Sequence, residues 1–211
     1  WSTEKNTPYV ASPLLYDDRL FMTKGRDAIL SCYVPSTGEV IYGPQRLEDM
    51  GMIYASLVGN KDRIYISDLD GSTLVVKNSA RFEPMATNVL DEGTAASLIV
   101  AGDVLLVQTS GGELSVVAVD RTSHRELARY RLSESATWAH PALVGSRLLV
   151  KDRDHLLVFD LPPGPRYRVI LMRRDTAQVL ASQAAMLRRQ GRQGSDLDPA
   201  QLARVRSAVE A

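Results

Sequence analysis

SLVGNKDRIYISDLDGSTLVVK, residues 56–77, reads as two apolar strands folded back on one turn. Ile64 and Ile66 alternate with Arg63, Tyr65 and Ser67, Asp68-Leu69-Asp70-Gly71 supplies turn chemistry, and Thr73 to Lys77 returns as a second run rich in β-branched residues. Alternation with a period of two, bounded by Asp, Ser and Gly, is the mark of a hairpin. Three further stretches repeat it: LLYDDRLFMTKGRDAILSCYV from Leu14, SLIVAGDVLLVQTSGGELSVVAVD from Ser97, and ALVGSRLLVKDRDHLLVFD from Ala142. The first apolar residue of the second strand falls at Leu20, Ile64, Leu105 and Leu148, steps of 44, 41 and 43 residues.

Repeats of about 40 to 50 residues, each holding several short strands, belong to β-propeller blades. A small twisted sheet exposes two apolar faces, and radial stacking of like sheets buries both. The expected fold is therefore all-β: a propeller arc of about four four-stranded blades over residues 8–172. The hairpin tips fall at Lys24 to Asp27, Asp68 to Gly71, Ser110 to Gly112 and Asp152 to Asp154. Fourth strands are expected at Val40 to Tyr42, Met85 to Val89, Leu127 to Tyr130 and Arg168 to Leu171. Alternate residues share a face, which predicts that Ile64, Ile66, Leu105, Val107, Leu148 and Val150 are buried between blades. An arc of a larger ring is favoured over a closed four-bladed one. The chain opens on Trp1 rather than Met, which reads as a processed form or a fragment with any signal peptide outside it.

After Met172 the spacing turns helical. Asp175 can cap a helix carrying Val179, Leu180, Met186 and Leu187 on one face, and Gly191 can end it. Asp198 with Pro199 and Gln201 starts a second helix bearing Leu202, Val205 and Val209. Residues 173–211 thus read as a C-terminal helical hairpin. The net charge of zero divides unevenly: residues 163–211 hold nine Arg and four acids, a net of +5, and residues 1–162 a net of −5.

The segment SCYVPSTGEVIYG resembles the end of a blade in the pyrroloquinoline-quinone-like (PQQ-like) β-propeller repeat family, whose pattern is A-x-D-x-x-T-G-x-x-x-W. Cys32 stands at the Ala position, Val34 at the Asp, Thr37 and Gly38 at the Thr-Gly, and Tyr42 at the Trp. The fourth repeat supplies Asp160 and Gly164, with Val158 and Pro163 at the Ala and Thr places. The third supplies Ala118 and Asp120 and then diverges at Ser123 and His124. The resemblance implies that the aromatic at Tyr42 docks between neighbouring blades. It also implies a choice between quinoprotein dehydrogenases and non-catalytic propellers, such as the outer-membrane assembly lipoprotein, that bind partner proteins.

Candidate chemistry is sparse. Asp68 and Asp70 are weak metal candidates, because a hard cation needs several clustered oxygens and the third acid and distal Glu of a calcium loop are missing. Register makes this stretch a hairpin tip. His124, His140 and His155 lie in different blade elements and read as surface or turn residues, Trp138 as a packing residue, and the lone Cys32 as a buried thiol. One cysteine excludes an intrachain disulfide. The tail arginines, with no stacking aromatics beside them, make nucleic acid an unfavoured partner. No stretch approaches the roughly 20 apolar residues of a membrane span. These readings predict no cofactor and a non-enzymatic scaffold for partner proteins, with missing blades or self-association as further partners. The resemblance places it in the periplasm or cell envelope. The alternatives are a fragment of a quinone-dependent dehydrogenase or the sensor portion of a larger receptor.

Overall fold

The computed structural model describes residues 1–101, 104–118 and 125–160. The chain folds as successive antiparallel sheets, each built from strands that neighbour one another in chain order. The first sheet holds β1 (Leu14–Tyr16), β2 (Arg19–Lys24), β3 (Ile29–Tyr33) and β4 (Val40–Arg46). The second holds β5 (Val58–Asn60), β6 (Arg63–Ser67), β7 (Ser72–Lys77) and β8 (Pro84–Val89). The third holds β9 (Ile99–Ala101), β10 (Val104–Gln108), β11 (Glu113–Ala118) and β12 (Glu126–Arg131). The fourth shows β13 (Ala142–Val144), β14 (Arg147–Lys151) and β15 (Leu156–Asp160). These are blades of a β-propeller.

Register explains why the blades stack. Ile64 lies opposite Val76 and Ile66 opposite Leu74, while Tyr65 lies opposite Val75. One face of the second blade therefore carries Ile64, Ile66, Leu74 and Val76, which join Phe21, Leu30 and Cys32 of the first blade in one buried cluster. The other face carries Tyr65 and Val75, which join Leu105, Val107 and Val117 of the third blade. Leu106 and Leu114 continue the series against Leu143, Leu148 and Val150 of the fourth. All six residues expected in the seams are buried. Each such side chain contributes about 1.5–3 kcal/mol on burial, so a seam of five or six outweighs any single polar contact.

The first strand of each blade is three residues long, and β5 lies against both β1 and β9. These short strands are the inner ones, where radial stacking brings neighbours closest. Linkers then run from each outer strand back across the hairpin tip of the same blade. Leu47 N–H donates to Ala28 O at 2.8 Å, Leu90 N–H to Gly71 O at 3.0 Å, and Leu132 N–H to Gly112 O at 2.9 Å. Tips and linkers thus share one end of the blades.

The first tip is a short 3-10 turn, Gly25–Asp27, closed by Ala28 at φ 48 where the next two blades have Gly71 and Gly112. The first outer strand runs on to Arg46 instead of ending at Tyr42. Pro44 is tolerated there because an outer strand pairs on one side only and spares the missing N–H. The expected fourth strand at Arg168 to Leu171 and the helices at 175–190 and 199–210 lie outside the described residues, as does the boundary between 172 and 173.

Candidate interaction surface

Of the repeat-motif residues, Cys32 and Tyr42 lie in a blade seam. Cys32 lies opposite Tyr42 across β3 and β4. Cys32 is fully buried, and desolvation pushes its thiol up to about 11, so it stays protonated at neutral pH. The Tyr42 ring tilts onto Phe82 of the second blade at 6.3 Å between centroids, and burial raises its phenol. Thr37 Oγ1 accepts the Glu39 N–H at 3.2 Å, and Gly38 at φ 76 completes the turn into β4. Ala118 ends β11, and its N–H donates to the Arg125 carbonyl at 3.0 Å. Asp160 ends β15, exposed and paired with Arg147 at 3.1 Å. Asp120 and Gly164 lie outside the described residues, as does His124.

The carboxylate of Asp68 is buried and engaged by backbone. Its Oδ1 accepts the N–H groups of Asp70 (3.1 Å) and Ser72 (2.8 Å), and its Oδ2 accepts that of Gly51 at 2.8 Å. This is an Asx turn that also ties the tip to the preceding linker. Blade four uses the same device. Asp152 Oδ1 accepts the N–H groups of Asp154 and His155, and its Oδ2 accepts the Ser133 hydroxyl at 2.7 Å. That hydroxyl, with the His155 N–H next, holds the Asp152 carboxyl well below its usual range. In blade three Thr109 fills the place, its Oγ1 accepting the Glu113 N–H at 3.0 Å. Among the described residues no group of three or more His, Cys, Asp or Glu side chains converges as a metal site would require.

A second recurring row sits just before each inner strand. Ser12 N–H donates to Ser56 Oγ at 2.9 Å, and Ser56 N–H to Ser97 Oγ at 2.8 Å. His140 takes the fourth place and hydrogen-bonds the Ser97 backbone, while desolvation pulls its imidazole below the usual value. Ala11-Ser12, Ala55-Ser56, Ala96-Ser97 and Ala139-His140 carried this signal in the sequence. It was missed because a pair of small residues has no periodicity of its own.

The position before each of those alanines is Val10, Tyr54, Ala95 and Trp138. Trp138 is 72% exposed, which corrects its reading as a packing residue: the neighbouring Thr137 is the buried one, its hydroxyl donating to the Thr109 carbonyl at 2.6 Å, and the indole beside it stands in solvent. Tyr9, 54% exposed, lies 6.1 Å from Tyr54 between ring centroids, and the Arg26 guanidinium sits 4.0 Å over the Tyr9 ring. Met52 is exposed in the same linker as Tyr54. Described tips and linkers carry ten acidic against three basic side chains, a net of −7. Among the described residues no ion pair reaches Glu48, Asp49, Asp70 or Asp154. One end of the blades is therefore an aromatic rim in a field of negative charge.

In backbone shape the chain is similar to BamB from Moraxella catarrhalis, with a TM-score of 0.57 and 15% identity over 70% of this chain and 41% of that one. It is similar also to the computationally designed Ika4 protein, at TM-score 0.61 and 12% identity, over 76% of this chain and 96% of that one. The designed Ika8 protein matches at TM-score 0.56 and 11% identity, over 71% and 45% respectively. The chain thus spans well under two thirds of the length of BamB. No family model matches the chain, and no curated protein matches it in sequence.

Proposed function

We propose that this chain is a non-catalytic β-propeller scaffold of the bacterial cell envelope that binds partner proteins through its tip-and-linker end. The observation that carries the reading is the aromatic rim on the acidic end, where Tyr9 and Trp138 stand exposed and Tyr54 is half-buried beside Tyr9. Exposed Trp and Tyr combine a large apolar area with few rotatable bonds, and such residues dominate the binding energy of protein interfaces. The −7 charge of the same end steers basic partners toward it. The matching partner surface is an apolar patch flanked by Lys or Arg. The envelope assignment rests on the motif at Cys32 to Tyr42, which resembles the PQQ-like repeat, and on the shared fold with BamB.

The test is site-directed photo-crosslinking in bacteria expressing the chain in the periplasm. A photoreactive phenylalanine at position 138 should give a discrete adduct of defined mass, and one at Arg81, in the turn between β7 and β8 at the opposite end, should give none. Trp138→Ala and Tyr54→Ala together should abolish adducts from a probe at position 9. Equal labelling from positions 138 and 81 would overturn the reading.

A further inference from the structure

The two blades at the limits of the arc present faces that the interior blades bury. On the fourth blade Val158 pairs with Leu149, and Leu156 with Lys151. Val158 and Leu156 are 55% and 51% exposed. The equivalent pairs are Tyr65 with Val75 in the second blade and Leu106 with Val116 in the third, and each of those packs beneath the following blade. The outward face of the fourth blade therefore has the composition and register of an inter-blade seam.

The first blade shows the matching half. Leu20, paired with Tyr33, stands where Ile64, Leu105 and Leu148 stand in the later blades, and those three all pack on the blade before them. Leu15 and Val40, on the same face, are 62% and 51% exposed. Residues 1–6 cover part of this face: the Trp1 ring stacks on Tyr33 at 5.7 Å and its Nε1–H donates to Pro35 O at 2.7 Å. Leu15, on the inner strand β1, stays open to solvent on the same face.

We infer that the outward face of the fourth blade, Leu149, Leu156 and Val158, is a docking surface for the first blade of a second copy of this chain. Continuity with the established seams carries the choice of occupant, because the first blade already has the register that the fourth needs. The interface is head-to-tail. Two copies supply eight blades, the upper end of the range of roughly 4 to 8 in closed propellers, and a closed pair uses the interface twice.

The experiment is sedimentation velocity of the 211-residue chain from 1 to 200 µM, with thermal melts as the check on folding. The expected result is a concentration-dependent doubling of the 23.2 kDa mass. Val158→Asp and Leu15→Asp should each leave a folded monomer over that range. A chain carrying both Leu15→Cys and Val158→Cys should be joined to a second copy by a short bismaleimide, since the equivalent residues Val100 and Val75 share one cluster. A folded monomer at 200 µM would overturn the inference and assign the face to blades outside this chain. A dimer that survives both aspartate variants, or that fails to crosslink, would overturn it in favour of another surface.

Discussion

The ring of Tyr16 lies flat against Gly59 of the neighbouring blade, so close that a Cβ on Gly59 would stand 2.3 Å from Tyr16 Cδ2. The Tyr16 hydroxyl donates to the Lys61 carbonyl at 3.0 Å, which fixes the ring over β5. Inner strands are where blades come closest, and one missing side chain makes room for one aromatic. Gly59→Ala should therefore cost about 1–3 kcal/mol by overpacking. The same substitution in a Tyr16→Leu background should cost less, and chemical denaturation of the four variants measures the coupling.

Gly71 and Gly145 should behave differently although both have positive φ. Gly71 sits at φ 98 with a Cβ position 2.4 Å from the Glu92 carbonyl, whereas Gly145 sits at φ 59 with open space around it. Gly145→Ala should cost about 1 kcal/mol, the left-handed penalty alone. Gly71→Ala adds a clash with backbone that cannot swing aside, and should cost at least twice as much. Equal denaturation midpoints for the two variants would contradict this account of the tips.

Ile66→Asp and Val107→Asp place a charge in the first and second seams, where both residues are buried among apolar side chains. An unpaired buried carboxylate costs several kcal/mol even after relaxation, a large part of the stability of a domain. Neither variant should show a cooperative thermal transition by circular dichroism.

The lowered pKa of Asp152 makes stability depend on acid. A depressed carboxyl contributes stability that is fully present above the ordinary carboxylate range of about 4 and is lost as pH falls through it toward the folded value. Asp152→Asn cannot accept all the same bonds and does not titrate. The stability gap between parent and variant should be widest near neutrality and narrow below about pH 4, read from urea midpoints at pH 7, 5 and 3.

Asp68 should prove structural. Its two oxygens already accept three backbone N–H groups, so Asp68→Ala should cost about 1–3 kcal/mol. The melting temperature of the parent should be the same in millimolar calcium and in chelator. A calcium-dependent rise in the parent that vanishes in the variant would return Asp68 and Asp70 to the role of ligands.

Much of the fold was legible because its signals are local. The alternation at Ile64 and Ile66 and the 41-to-44-residue spacing of Leu20, Ile64, Leu105 and Leu148 are covalent facts of the chain, and they suffice for strand, register and seam. Trp138 was misread because its linker is anchored through the buried Thr137 on the carbonyl of Thr109, a contact 28 residues back that local sequence does not reveal. The Ser12, Ser56 and Ser97 row was missed because a serine reveals its partner only across a seam.

The sequence by itself determined a repeating all-β architecture and the residues buried in each seam, since period-two patterning dictates which side chains share a face. Only the tertiary structure decided that linkers and tips meet at one end, and that this end gathers Tyr9, Tyr54 and Trp138 with ten carboxylates. It alone left Leu156 and Val158 bare on the fourth blade. The rim residues lie many positions apart, and what brings them to one end, and what leaves Leu156 and Val158 uncovered, is the stacking of whole sheets through space.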